Sequence, residues 1–409
     1  MNRGVVVTGI GMVTPIGVGK ESFARALFRG DSGIAEIAAF DTARFASHLG
    51  AGIRDFSARD FISLKNLRRM DRLSQMAVAS ARLALEDAGI VVRPANRDRI
   101  GAILGTAFGP TDVKVHCLNI LYTEGPGMIN PILVPNSVMN APAGHASIEL
   151  EFRGVNTTVN HQAASGETAI AYAAMEIERG AADIVLAGGV DILSKFLFET
   201  LVSFRAVSPV DGMKEGARPF DIGRNGPIAG EGCGIVCLEL LEHAEERGAE
   251  PYCEIAGWGM SSSPASTTDW PVDETGTVIA VNRALKSAGL IPVDIDMIQA
   301  AGNGGKNPDG TEADAYLHIF GSEKEVPLVS SVKGAVGESF SSGGIRAAAL
   351  ALSISKGMVP PTLGLANPIA PLSFTTGKAR KMDIRNGLVN AVSYGGTNVS
   401  VIMRKMTAV

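Results

Sequence analysis

The sequence predicts an α/β protein made of two similar halves. Along its 409 residues, one series of strand, helix and short apolar strand occurs twice in the same order, with a period far longer than that of any solenoid repeat. Each half is therefore expected to form a sheet covered by helices, the first over 1–250 and the second over 251–409. The matching segments are 5–12 with 253–260, 81–90 with 281–290, and 100–105 with 297–302.

The individual elements follow from hydrophobic spacing and from the glycines that end them. Residues 71–88 carry apolar side chains at helical spacing and are followed by a glycine, so they predict a helix. An Ala-rich helix over 166–179 also ends at a glycine and leads into a buried strand over 184–187. Residues 344–356 and 388–392 predict the same helix and strand in the second half.

Two stretches of the first half, 106–140 and 190–229, have weaker periodicity and are predicted to be insertions. The uncharged start of the chain, 4–19, superficially resembles a signal peptide, but its glycines and Pro15 would break the apolar helix of such a peptide. We expect this stretch to be a buried strand that enters a glycine-rich turn.

The composition excludes several classes of function. Lys and Arg number 37 and Asp and Glu 42, giving a net charge of −5, and the absence of a basic cluster argues against binding to nucleic acid or to an anionic membrane. Hydrophobic residues make up 46% and charged residues 19%, which favours a large core, a large subunit interface, or both. Four cysteines are too few for the disulfide framework of a secreted protein, so we expect a cytoplasmic protein.

Several local motifs do not indicate chemistry. Gly9 and Gly11 begin a dinucleotide-type fingerprint, but Thr14 occupies the position of the third glycine, so a plain strand-exit turn is expected. Cys233 and Cys237 lack histidines at zinc spacing and are expected to be small core residues. The six histidines are scattered through the sequence, and no metal site is expected.

The junction of strand and helix at 157–170 carries the strongest functional signal. The first residues of a helix lie in its positive dipole field, which would lower the pKa of a thiol placed there. The chain here resembles the β-ketoacyl synthases of the thiolase superfamily, which place a nucleophilic Cys at this turn, and Gln162 occupies that position. The resemblance covers essentially the whole chain and rests on 5–11, 101–105, 187–189, 218–221, 230–232 and 394–398.

The resemblance also locates the two histidines that accompany the nucleophile in this family. The first belongs to an Ala-His-Gly-Thr pattern, in which Ala301 stands at the histidine position. The second belongs to a Lys-x-x-x-Gly-His pattern, in which Lys333 is retained and Glu338 replaces the histidine. Because glutamine has no atom as nucleophilic as a thiolate, acyl transfer onto this chain through Gln162 is excluded. None of these vestigial positions is expected to be catalytic.

Glutamine at the nucleophile position together with the loss of both histidines resembles the chain length factor, or ketosynthase β-subunit, of type II polyketide synthases. The resemblance implies a five-layered αβαβα thiolase fold and an obligate heterodimer with a Cys-bearing ketosynthase α-subunit. It also implies a role in completing the tunnel in which a poly-β-ketone grows, whether the product is an aromatic polyketide or a polyene. No cofactor of the chain's own is expected, because phosphopantetheine arrives on the acyl carrier protein.

Two other functions remain open at this point. The chain could be a malonyl-thioester decarboxylase or priming enzyme that uses Gln162. This function is disfavoured because Ala301 has no hydrogen-bond donor and an ionised Glu338 would oppose the developing enolate. It could also be a catalytically inactive homodimeric binding protein, although a lone vestigial pocket has no evident use.

The resemblance places a chain-length gate on two segments of the first insertion. The helix 111–121 carries polar as well as apolar side chains, so it is not expected to be wholly buried in its own subunit. Ordinary core packing is the alternative interpretation of the apolar members. The gate positions are Phe108, Thr111, Val115, Ile132 and Leu133.

Simpler structural roles are also possible at three positions. Gln162 could fill the vestigial pocket and cap the helix turn by hydrogen bonding. Lys333 could form a buried ion pair with Glu338, with Glu312 nearby. His161 is interpreted as a packing or interface residue, because alternate side chains of an extended segment point to opposite sides.

Overall fold

A computed structural model describes residues 4–321 and 326–406. Within them, ten main strands are numbered β1 to β10 and nine main helices α1 to α9. The strands are Val5–Thr14, Ile100–Gly105, Asn156–Val159, Ile184–Asp191, Gly232–Leu240, Cys253–Ser262, Met297–Gln299, Leu328–Ser330, Asn386–Val392 and Thr397–Arg404. The helices are Lys20–Arg29, Arg72–Asp87, Thr111–Thr123, Ala141–Leu150, Ser165–Glu178, Lys195–Ser203, Thr275–Ala288, Lys306–Phe320 and Gly343–Lys356.

Shorter elements connect these. The short helices are Leu64–Leu67, Leu241–Glu246 and Lys333–Val336, and the two-residue strands are Gly17–Val18, Ala35–Glu36, Leu49–Gly50, Met358–Val359 and Arg380–Lys381.

The strands of the two halves are arranged identically. The first half has the order β3-β2-β4-β5-β1 and the second half has the order β8-β7-β9-β10-β6. In each half the first three strands in that order are parallel and the last two are antiparallel to their neighbours. The halves join where Val6 and Val7 of β1 pair with Glu254 and Cys253 of β6. The internal duplication expected from the sequence is therefore confirmed in the topology.

The helices form three layers around these strands. Helices α5 and α9 pack against each other and against strands of both halves, so they form the middle layer. Helix α2 covers the outer face of the first sheet and α7 covers that of the second. The result is the five-layered αβαβα arrangement of the thiolase fold, as expected.

The glycines of β1 have a different role from the one expected. Gly9 and Gly11 lie inside a continuous strand and not at its exit. A Cβ added at Gly9 would lie 2.1 Å from the carbonyl oxygen of Ala84, and one at Gly11 would lie 1.8 Å from that of Ser80. These glycines thus allow the backbone of α2 to approach the sheet. The prediction of a strand-exit turn was wrong, because contact with a distant helix leaves no local signal.

The same close approach occurs in the second half. A Cβ at Gly259 of β6 would lie 2.0 Å from the carbonyl oxygen of Ala280 in α7. Helix and strand therefore pack through equivalent glycines in both repeats. Cys233 and Cys237 are fully buried, as predicted, and burial raises the pKa of each thiol to about 12.

Other predicted elements shift by a few residues. The strand expected over 184–187 continues to Asp191, and the one expected over 297–302 ends at Gln299. In the described parts of the chain, 4–321 and 326–406, no helix is both long enough and apolar enough to cross a membrane.

Candidate functional site

The turn between β3 and α5 carries Gln162, the residue assigned to the nucleophile position, in an unusual backbone conformation. Gln162 has a φ of 53°, in the left-handed region that non-glycine residues seldom occupy except where function or packing requires it. It begins the single helical turn Gln162–Ala164, which continues directly into α5. The hydroxyl of Ser165 supports this turn by accepting the N–H of His161 at 2.9 Å and donating to the carbonyl of Gln162 at 2.6 Å.

The side chain of Gln162 binds across to the other half of the protein. Its Oε1 accepts a hydrogen bond of 2.5 Å from the hydroxyl of Tyr394, in the loop between β9 and β10. Burial raises the pKa of Tyr394 well above its usual value, so this phenol remains a donor. The interpretation of Gln162 as a helix cap was therefore wrong, because Ser165 supports the turn and the amide binds Tyr394.

His161, next to Gln162, has a packing role. Its Nδ1 lies 3.1 Å from the hydroxyl of Thr168 on α5, and desolvation lowers its pKa. The contact with Thr168 agrees with the interpretation of His161 as a packing residue.

At the first histidine position, Ala301 presents only a methyl group. Its backbone N–H donates to Oε1 of Glu312 at 2.9 Å. The same oxygen accepts from the hydroxyl of Tyr316 at 2.5 Å and from the amide of Asn390 at 2.8 Å. All four residues are buried. Ala301 supplies no side-chain donor to a substrate, and Oε1 of Glu312 is bound by three groups of the protein.

At the second histidine position, Glu338 forms a buried ion pair. Its Oε2 accepts from Nζ of Lys333 at 2.6 Å and from the amide of Asn303 at 2.8 Å, and its Oε1 accepts the N–H of Phe340 at 2.8 Å. The side chains of Lys333 and Glu338 are 2% and 0% exposed. The predicted ion pair is therefore present, but Glu312 binds Ala301 and Asn390 instead of taking part in it.

Three functional-site neighbours were missed by sequence reasoning. Asn303 binds Glu338, and Asp191 binds the turn that follows β2. Arg346, fully buried on α9, pairs with Glu167 of α5 and donates to the carbonyl of Asn390. Arg346 could have been noticed in the sequence, because it is a charged residue within the Ala-rich run 344–356.

The predicted gate residues range from Phe108, which packs beside the site, to Ile132, which lies on the surface. Phe108 packs edge-to-face on Phe340, with ring centroids 4.9 Å apart, and the hydroxyl of Thr111 lies 3.1 Å from that of Ser194. Val115 and Leu133 are half-buried and Ile132 is 41% exposed. Phe108 packs on a core cluster of this chain, so ordinary core packing stays an alternative there, whereas the exposure of Ile132 is not typical of a core residue.

Helix α3 and the segment after it, 111–138, carry a group of exposed apolar side chains. We call this group the apolar edge. Helix α3 contains no buried residue, which agrees with the prediction that it is not wholly buried in its own subunit. Apolar surface of this kind is typical of a site that another protein covers. The members are Leu118, Leu121, Tyr122, Met128, Ile132, Val134 and Val138.

The duplicated five-layered fold, with this centre where its two halves meet, defines a protein of the thiolase-like class. The chain belongs to the β-ketoacyl synthase family. Residues 2–244 match the family model described as "Beta-ketoacyl synthase, N-terminal domain", and residues 252–366 match "Beta-ketoacyl synthase, C-terminal domain".

Individual relatives are similar along their whole lengths. The 3-oxoacyl-[acyl-carrier-protein] synthase 2 of Coxiella burnetii is 33% identical over 409 residues, covering 99% of both chains. The solved structure titled "The ishigamide ketosynthase/chain length factor" is 31% identical with a TM-score of 0.93, covering 100% of both chains. A type II PKS acyl-carrier protein complex with its ketosynthase bound to the hexaketide gives 25% identity and a TM-score of 0.89, covering 99% of this chain and 100% of the other.

Proposed function

We propose that this chain is the non-condensing, chain-length-setting subunit of a heterodimeric type II polyketide ketosynthase. The observation that carries the proposal is the state of the three vestigial positions. Gln162 is bound to Tyr394, Ala301 presents a methyl group, and Glu338 is neutralised by Lys333. A Cys-bearing homologous subunit would carry out the condensation, and acyl carrier protein would deliver the chain.

Two further observations support a role at a shared tunnel. Phe108 contacts Phe340, which is bound to Glu338 of the vestigial centre, and the other gate residues lie in the segment that carries the apolar edge. An obligate partner of this family would cover such an edge with an interface of more than about 2,000 Å². The similarity to a ketosynthase/chain length factor structure is in keeping with this role.

The alternative, a malonyl-thioester decarboxylase using Gln162, has less support. Its transition state develops negative charge on the thioester oxygen and needs donors aimed there. Ala301 offers no such side chain, and Glu338 contributes a carboxylate to the same centre. Replacing Gln162 by Ala separates the two functions. A modest loss of product fits a pocket-filling amide, whereas a loss of several orders of magnitude would support the decarboxylase.

Gate variants in a reconstituted pair with acyl carrier protein test the proposal directly. Phe108→Ala should lengthen the product and Val115→Phe should shorten it, while carbon–carbon bonds still form. Forcing extra volume into a packed site costs about 1–3 kcal/mol, which changes the ratio of extension to release by roughly 5- to 150-fold. Unchanged product length in both variants, with less soluble protein, would show that these residues are only core.

A further inference from the structure

Phe108 packs against a second phenyl ring, which comes from the other half of the chain. The planes of the Phe108 and Phe340 rings meet at 86°, an edge-to-face arrangement that aromatic pairs favour. Phe340 makes another edge-on contact with Tyr394, at a centroid distance of 6.3 Å, and Tyr394 binds Gln162. A row of three rings therefore runs from the vestigial nucleophile position to the gate.

Phe340 is held more firmly than Phe108. Phe340 is 6% exposed, whereas Phe108 is half-buried. Its φ is 60°, a left-handed conformation that a bulky side chain adopts only where its surroundings enforce it. The N–H of Phe340 is bound by Oε1 of Glu338, whose Oε2 is bound by Lys333. The glutamate at the former histidine position thus fixes the backbone of Phe340.

Asp191 connects the backbones that carry the two rings. Its carboxylate accepts the N–H of Phe108 at 3.2 Å and the N–H of Ser341, which follows Phe340, at 3.0 Å. It also accepts the hydroxyl of Thr106 at 2.9 Å, and it is 2% exposed. The turn that carries Phe108 and the loop that carries Phe340 therefore separate only if buried hydrogen bonds break.

We propose that Phe340 is a second length-determining residue, lying directly behind Phe108 and positioned by Glu338 and Asp191. This inference rests on the proposed function of the chain. A growing polyketide that reaches Phe108 must push that ring inward, and Phe340 occupies the space into which the ring would move. Phe340 thus determines how far the gate can yield. Glu338 and Asp191 are positioning residues, because they act through the two rings.

Product profiling of the reconstituted pair tests this role. Phe340→Leu should raise the ratio of longer to shorter polyketides by about fivefold or more, in the same direction as Phe108→Ala. Phe152→Leu is the matched control, because Phe152 is also buried, at 2% exposure, and lies in a different core cluster. It removes a similar ring and should leave product length unchanged.

A milder pair of variants keeps the test informative if Phe340→Leu does not fold. Thr106→Val removes the hydroxyl that donates to Asp191 and should broaden the products towards longer chains. Thr106→Ser keeps the hydroxyl and should give the wild-type product profile. Wild-type lengths in Phe340→Leu or Thr106→Val, with Phe108→Ala still lengthening the product, would overturn the role of Phe340 and leave the proposed function standing. Wild-type lengths in Phe108→Ala as well would overturn both.

Discussion

The vestigial centre and the apolar edge differ in which groups are left without contacts. The centre pairs buried charged and polar side chains, whereas the edge exposes apolar side chains to solvent. At the centre, Lys333 and Asn303 are buried and both bind Glu338, so the polar groups of these three side chains are paired within the protein. At the edge, Tyr122 is 83% exposed and Val134 is 55% exposed, so apolar surface remains in contact with solvent. The proposed function accounts for this difference, because a non-condensing subunit needs a surface for its partner but no substrate-binding charges of its own. The difference also predicts that substitutions at the centre will lower the free energy of unfolding more than substitutions at the edge.

The largest effect on stability is expected at the buried ion pair. Lys333→Met leaves the carboxylate of Glu338 buried without its cation, and breaking such a pair costs about 3–5 kcal/mol. Chemical denaturation should show this loss in the free energy of unfolding. The double variant Lys333→Met with Glu338→Gln removes both charges and should recover most of the loss. If Lys333→Met alone were as stable as wild type, the ion pair would not contribute to the stability of the centre.

The second effect concerns pH and the carboxylate of Asp191. Burial raises the pKa of Asp191 from 3.8 to about 6, so the folded protein binds this proton more tightly than the unfolded chain does. The contribution of Asp191 to stability is therefore greatest below about pH 4 and falls as pH rises towards 6, by at most about 1.4 kcal/mol per pH unit.

Asp191→Asn does not titrate and serves as the reference for that measurement. The free energy of unfolding of wild type minus that of Asp191→Asn should decline from about pH 4 to about pH 6 and be flat above. A difference that rises with pH over this range would mean that the pKa is lowered in the folded protein.

A smaller effect is expected at the bond between the two halves. Tyr394→Phe removes the hydroxyl that binds Gln162 but keeps the ring against Phe340, and a single hydrogen bond of this kind contributes about 1 kcal/mol. Denaturation should show a loss of that size with product length unchanged. A large shift in product length would mean that the hydroxyl, and not the ring, controls the gate.

The smallest effect on stability is expected at the apolar edge. Leu118 is 48% exposed, so Leu118→Ser should change the free energy of unfolding of the isolated chain by less than about 0.5 kcal/mol. The same variant should weaken assembly with a Cys-bearing homologue, measured by size-exclusion chromatography of the co-expressed chains. Unchanged assembly together with an isolated wild-type chain that is a well-behaved monomer would contradict a partner at this edge.

The comparison also shows what could be predicted from the sequence. The repeated segments predicted the duplicated fold. The assignment of Gln162, Ala301 and Glu338 to the family's active-site positions rests on local motifs and stays a prediction. Asp191 and Phe340 were missed because their roles arise between the halves. Asp191 binds Ser341 across 150 residues of sequence. The misread Gly9 has the same cause, since the helix that packs on it begins at Arg72.

Intact-mass spectrometry of both subunits after incubation with malonyl- and acyl-loaded carrier protein tests the central claim most directly. The chain should assemble with its Cys-bearing partner and carry no covalent acyl group, while the partner's nucleophile takes all the label. Because the amide of Gln162 cannot form a thioester, the result should be the same for Gln162→Ala. An acylated peptide from residues 157–170 of this chain would contradict the account.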